Sequence, residues 1–187
     1  MARERSFDPA RLDVPAFAAA AALFEGRCEQ HELLRLAASL MALPGDTLPL
    51  PVTWSANGEQ RVHSGGPPQA WLHLQAQATV TLQCQRCLHP MAETMTLERW
   101  FRFVGNEDEA ERLDEESEED VLVVSRRFNV LELLEDELIL ALPLVPRHEI
   151  CPQPLPITAG DDAVGDELAP ANPFAALAAL RGPGRGK

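Results

Sequence analysis

Two periodicities alternate along this chain. Between Gln30 and Leu40 the apolar residues Leu33, Leu36, Ala37 and Leu40 fall three and four apart, the spacing that lines one face of a helix. An Ala-rich stretch, Pro15 to Leu23, predicts a shorter helix before it. From Leu48 the period drops to two, with Leu48, Leu50, Val52 and Trp54 alternating with Thr47, Pro49, Pro51 and Thr53. Prolines on the outward positions predict an edge strand, because proline has no N–H to give to a ladder. Asn57-Gly58 then predicts a turn, and Gly65-Gly66-Pro67-Pro68 a second break.

The longest alternation follows. Leu72, Leu74, Ala76, Ala78, Val80, Leu82 and Cys84 alternate with Trp71, His73, Gln75, Gln77, Thr79, Thr81 and Gln83, which predicts a strand with one buried face. Met95, Leu97, Phe101 and Phe103 form a second inward face, interrupted by Arg99. The connection between them is short, so the pair reads as an antiparallel hairpin with Cys84-Gln85-Arg86-Cys87 at its tip. A strand from Val121 to Val124 resumes the sheet, and Asn129 stands where it would cap a helix from Val130 to Leu142, closed by Pro143. Leu131, Leu134, Leu138 and Ala141 give that helix an apolar stripe. The expected fold class is α+β: an antiparallel β-sheet packed against helices.

Charge changes this picture in two places. The net charge is −13, and the segment from Glu107 to Asp120 holds ten acidic residues against one arginine. So charged a segment predicts a disordered acidic loop over residues 105–120. Asp161 to Glu167 holds four more acids, which leaves fifteen acidic and fifteen basic residues elsewhere. A body this close to neutral neither excludes an RNA partner nor supports broad phosphate binding. Beyond Cys151 the composition turns to Pro, Gly, Asp and Ala, so residues 1–151 read as a single domain and 152–187 as a flexible tail. The tail's one ordered candidate is a short helix over 173–181, capped by Asn172 and carrying Phe174, Leu177 and Leu180 three apart. Two turns are too few to be stable alone and need a surface to dock on. No run approaches the about 20 apolar residues of a membrane span. The N-terminus lacks a secretory pattern, so the expectation is a cytoplasmic protein with no membrane partner.

Cysteine chemistry comes next. A Cys-x-x-Cys at a hairpin tip can turn both thiolates toward one tetrahedral ion, and His148 with Cys151 could complete a Cys3His set around one structural zinc. Two other readings stay open: buried thiols, since Cys84 falls on the apolar strand face, and a redox pair. The carboxylates Glu132, Glu135 and Asp136 share a helix face that a metal-dependent RNase could use, or they are a first turn favoured by the helix dipole. No His or Lys lies close by in sequence to act as a base, and no nucleophile elbow, phosphate-binding glycine loop or His-Glu-x-x-His is present. The expectation is therefore a protein that is not an enzyme and has no evident small-molecule substrate. Arg86, His89, Arg99 and Arg102, near Trp100, could contact RNA or another partner, or could instead pair with Glu93 and Glu98. Phe174, Leu177 and Leu180 form a second candidate partner surface.

Three stretches together resemble the YceD-like family: Val80 to Cys87, Glu135 to Pro146, and Asn172-Pro173-Phe174 with Leu177 and Leu180. They occur in the family's order, and Asp8-Pro9 is similar to its start. The resemblance implies a non-enzymatic ribosome biogenesis factor acting in synthesis, processing or accumulation of large-subunit ribosomal RNA. It also implies a partner that is a ribosomal RNA precursor or a large-subunit ribosomal protein. Cys84 and Cys87 match the family's cysteine pair and Cys151 resembles its later cysteine, whereas the spacing around His148 varies among relatives.

Overall fold

Among the described residues five strands form one sheet in chain order: β1 (Leu23–Cys28), β2 (Val52–Arg61), β3 (Gln69–Gln83), β4 (Pro90–Val104) and β5 (Asp120–Val123). The computed structural model describes residues 6–42, 49–62, 66–117 and 119–153. Among these residues four helices accompany the sheet, α1 (Val14–Ala19), α2 (Leu34–Ser39), α3 (Glu107–Asp114) and α4 (Val130–Leu140), with a 3-10 turn at Gln30–Glu32. The architecture is α+β, as the sequence pattern predicts. The described residues up to Cys151 form one compact unit. The predicted helix over 173–181 lies outside the described residues.

The β3–β4 hairpin dominates the fold, and its alternation works as expected. Leu72, Leu74, Ala78, Val80 and Leu82 on β3, and Met95, Leu97, Phe101 and Phe103 on β4, are buried on one face. Phe17 of α1, Leu36 of α2, and Val130, Leu134 and Leu138 of α4 join them in the main core. Fully burying one such side chain contributes about 2 kcal/mol. The Asn129 side chain accepts from the N–H groups of Leu131 (3.0 Å) and Glu132 (3.3 Å), so α4 starts where its cap predicts.

Five expectations need correction. The Ala-rich helix ends at Ala19, and Leu23–Cys28 forms a strand. That strand pairs with β2, which makes β2 interior instead of an edge; the prolines at 49 and 51 precede it. Asn57-Gly58 lies inside β2, paired on both sides, and is not a turn. Glycine is needed at 58 for close approach: a Cβ there would fall 2.6 Å from the Phe17 ring and 2.9 Å from the backbone of Ala18.

The acidic segment is the fourth correction. It forms α3, whose Asn106 cap accepts from the Glu109 N–H (2.9 Å) and whose first turn holds Glu107, Asp108 and Glu109 at the favourable end of the dipole. Ala110 and Leu113 are buried against Val104, Val121 and Val123. Burial of two apolar residues on one helix face outweighs the composition that predicted disorder. The fifth correction follows from it, because α3 provides the crossover that lets β5 lie parallel to β4 in an otherwise antiparallel sheet.

Candidate metal centre

The turn joining β3 to β4 is a cysteine knuckle. The Leu88 N–H donates to the Cys84 carbonyl (2.8 Å) and the Cys84 N–H to the His89 carbonyl (3.0 Å), folding both cysteines to one side. Leu88 pays for this with a left-handed φ of 59° while its side chain stays 62% exposed. For a residue with a Cβ that conformation costs about 1 kcal/mol, so the surroundings must hold it in place.

The chain returns to this tip after α4. The Gln85 N–H donates to the Pro146 carbonyl (2.8 Å), which brings the following residues alongside the knuckle. One ligand atom each from Cys84, Cys87, His148 and Cys151 then lies within 4.8 Å of the others. Cys84 Sγ is 4.0 Å from Cys151 Sγ, and Cys87 Sγ is 3.4 Å from His148 Nδ1. A tetrahedral ion with Zn–S bonds of about 2.3 Å holds its sulfurs about 3.7 Å apart, so the donor set and its spacing fit zinc. Cys84 and Cys87 are buried, whereas His148 and Cys151 are partly exposed, leaving a route for the ion.

The surroundings favour a ligand thiolate. Burial works against ionised Cys84, but backbone hydrogen bonds from Cys87, His148 and Arg86 outweigh it and bring its pKa down to about 5. Cys87 moves up, from burial and from sharing its proton with Cys151 and Cys84. Arg86 reaches over the cluster: Nε donates to Cys151 Sγ (3.1 Å), and a terminal nitrogen donates to the carbonyls of His148 (2.8 Å) and Glu149 (3.2 Å). Cys28 stands apart in β1, its thiol pushed up to about 11 by burial, then by Glu32 and Glu29.

The basic hairpin residues do not come together in one patch. Arg86 and His89 sit at the tip, and His89 Nδ1 lies 2.8 Å from the Cys87 carbonyl oxygen. Trp100 and Arg102 lie more than ten residues along β4, roughly 35 Å away at strand rise. Arg99 projects to the opposite sheet face from Trp100, donating to Asp120 (2.7 Å) and pairing with Glu137 (3.4 Å). Phe174, Leu177 and Leu180 are outside the described residues.

Sequence reading missed an aromatic and guanidinium stack at this far end. His73 stacks on Trp100 at 4.1 Å, and the Arg61 guanidinium sits 4.1 Å from the Trp100 ring and 4.2 Å from the Trp71 ring. Glu98 lies 3.0 Å from His73, and Glu59 accepts from Arg61 at 3.0 Å. Hairpin register carried the signal, since counting back from the tip sets His73 opposite Trp100.

The candidate carboxylates face a different task. Buried Glu135 accepts from the backbone N–H groups of Arg35 (2.6 Å) and Leu36 (3.2 Å) and from Arg35 Nε (2.9 Å), anchoring the start of α2. Asp136 also pairs with Arg35. Burial raises the Glu135 pKa, but these donors outweigh it and hold the carboxyl below its usual range.

A helix-backed sheet whose longest hairpin ends in a Cys3His knuckle defines a class of small scaffold with one built ligand cluster. The chain belongs to the YceD family: the family model described as large ribosomal RNA subunit accumulation protein YceD matches residues 72–181. It is similar to the Haemophilus influenzae protein named large ribosomal RNA subunit accumulation protein YceD, 40% identical over 111 residues. That alignment covers 56% of this chain and 62% of the relative's length. No solved structure matches the chain.

Proposed function

We propose that this protein is a non-enzymatic factor in the accumulation of large-subunit ribosomal RNA, binding precursor RNA or a large-subunit ribosomal protein through the exposed end of its hairpin. Family membership supports the ribosomal role, through what the relative's name says of the relative. The observation that carries the binding mode is the convergence of Cys84, Cys87, His148 and Cys151, which suits one structural zinc. Bound there, zinc would supply a cross-link between the tip and the segment after α4. The chain's own residues shape the surface around it, including Leu88 and Ile150, both exposed.

The RNase alternative loses ground to geometry. Glu135 and Asp136 are engaged by Arg35, so the carboxylates hold helices together where a hydrolase would aim them at magnesium. No helix among the described residues is long and apolar enough to cross a membrane, and action in the cytoplasm is part of the proposal. The tail bearing Phe174, Leu177 and Leu180 is assigned a share of partner capture.

Crosslinking in cells followed by identification of bound RNA and protein tests this reading. Large-subunit RNA precursors or ribosomal proteins are expected, and truncation after Pro170 is expected to weaken their recovery without unfolding the domain. Recovery of neither class would overturn the proposal. So would magnesium-dependent cleavage of precursor RNA by the purified protein, if Glu135→Gln abolished the cleavage but kept the fold.

A further inference from the structure

Arg86 lies between the two hairpin cysteines, yet its side chain turns to the other half of the cluster. Its three contacts all fall on the returning segment: the carbonyls of His148 and Glu149 and the sulfur of Cys151. We propose that Arg86 is the positioning residue of the knuckle, fastening the distant ligands His148 and Cys151 to the tip and balancing the charge of a three-thiolate zinc complex. The inference rests on the zinc reading above and goes beyond it by assigning how the site is assembled.

The first argument is chain entropy. Cys87 and His148 are 61 residues apart, so zinc alone would have to gather two half-sites from separate parts of the chain. With the Gln85 to Pro146 hydrogen bond beside it, the guanidinium fork holds the second half-site in place before the ion arrives. The second argument is charge. Three thiolates, one neutral imidazole and one Zn²⁺ sum to −1, and a guanidinium in contact with Cys151 brings the cluster to neutrality. The third is shape. Donors at Nε and at a terminal nitrogen meet a sulfur and two carbonyls at once, which the single ammonium of lysine would not reproduce. Arg147, by contrast, is exposed beside His148 and contacts no ligand atom in the described structure.

The test measures zinc affinity of the full chain by chelator competition, with Co²⁺ as the spectroscopic probe. Wild type is expected to bind one ion and to show tetrahedral thiolate-to-cobalt absorption. Arg86→Gln is expected to give the same cobalt spectrum at saturation, because the ligands are unchanged, but with zinc affinity lower by roughly 10- to 100-fold. Its Cys151 should also be alkylated faster in the zinc-loaded protein. Arg86→Lys keeps the charge without the fork and should fall between the two, while Arg147→Gln should match wild type. Wild-type affinity in Arg86→Gln, full recovery in Arg86→Lys, or an equal loss in Arg147→Gln would each overturn the role of Arg86. A wild-type chain that takes up neither ion would instead remove the zinc reading itself, and the role of Arg86 with it.

Discussion

The β3–β4 hairpin carries ionisable side chains at both of its ends and uses them in opposite ways. At the far end, Arg61, Trp71, His73, Glu98, Trp100 and Arg102 are partnered with one another or with Glu59 and Gln69. At the tip, four soft donors point at one another, and the backbone around Cys84 favours its thiolate. Mutual pairing makes a stable surface with little left to offer a ligand. Convergence of like donors is unfavourable until a cation joins them, and that is the mark of a binding centre. The same strand pair thus serves as a structural clamp at one end and, at the other, carries half of a donor cluster that could hold a metal ion.

Removing the ion should separate the ends most. At free zinc a thousandfold above Kd, the bound metal adds about 4 kcal/mol to whatever it holds closed. Chelation, or Cys84→Ser, is therefore expected to free the segment after Pro143 and to speed tryptic cleavage after Arg147 by on the order of a hundredfold. Far-UV circular dichroism should barely change, because the sheet and its helices keep their own core. An unchanged cleavage rate on chelation would show that zinc holds nothing there.

Glu135 belongs to neither end and measures what an ordinary buried polar contact is worth in this fold. Glu135→Gln weakens charge-assisted hydrogen bonds to α2 and should cost about 2 kcal/mol at neutral pH, read from urea unfolding. Its folded pKa is depressed, so the stability it contributes is present above the unfolded value and lost as pH falls through the folded one. Acidification should therefore narrow the gap between wild type and Glu135→Gln. A gap that stays constant down to acid unfolding would remove the carboxylate from α2's support.

How much of this was legible in the sequence depended on distance along the chain. Cys84 and Cys87 could be placed at a tip because the alternation on either side, Leu72 to Cys84 and Met95 to Phe103, is local and strict. His148 and Cys151 could be named as partners but not placed, since their approach depends on α4 packing and on the Gln85 to Pro146 contact. β1 was illegible for another reason. Its six residues include Gly26, which has no side chain to show a period and is there because a Cβ would fall 2.7 Å from the Trp54 indole. In α3 the charges outnumbered the two residues that decide the fold, Ala110 and Leu113. The spacing of a motif does not say which way its middle residues turn, so the turn of Arg86 toward the returning segment is visible only in the structure.

The smallest expected effect comes from the clamp, and it asks whether the two ends are independent. Arg61→Ala removes a guanidinium lying 4.2 Å from Trp71 and 4.1 Å from Trp100, and the side chain is 31% exposed. Cation–π contacts at such a partly wet site are worth about 1 kcal/mol, so the unfolding midpoint should fall by about 3 °C. Zinc affinity should not move, because the stack and the knuckle lie at opposite ends of a rigid two-stranded ladder and share no side chain. If Arg61→Ala also weakened zinc, the hairpin would be transmitting strain along its length, and its ends would have to be treated as one unit.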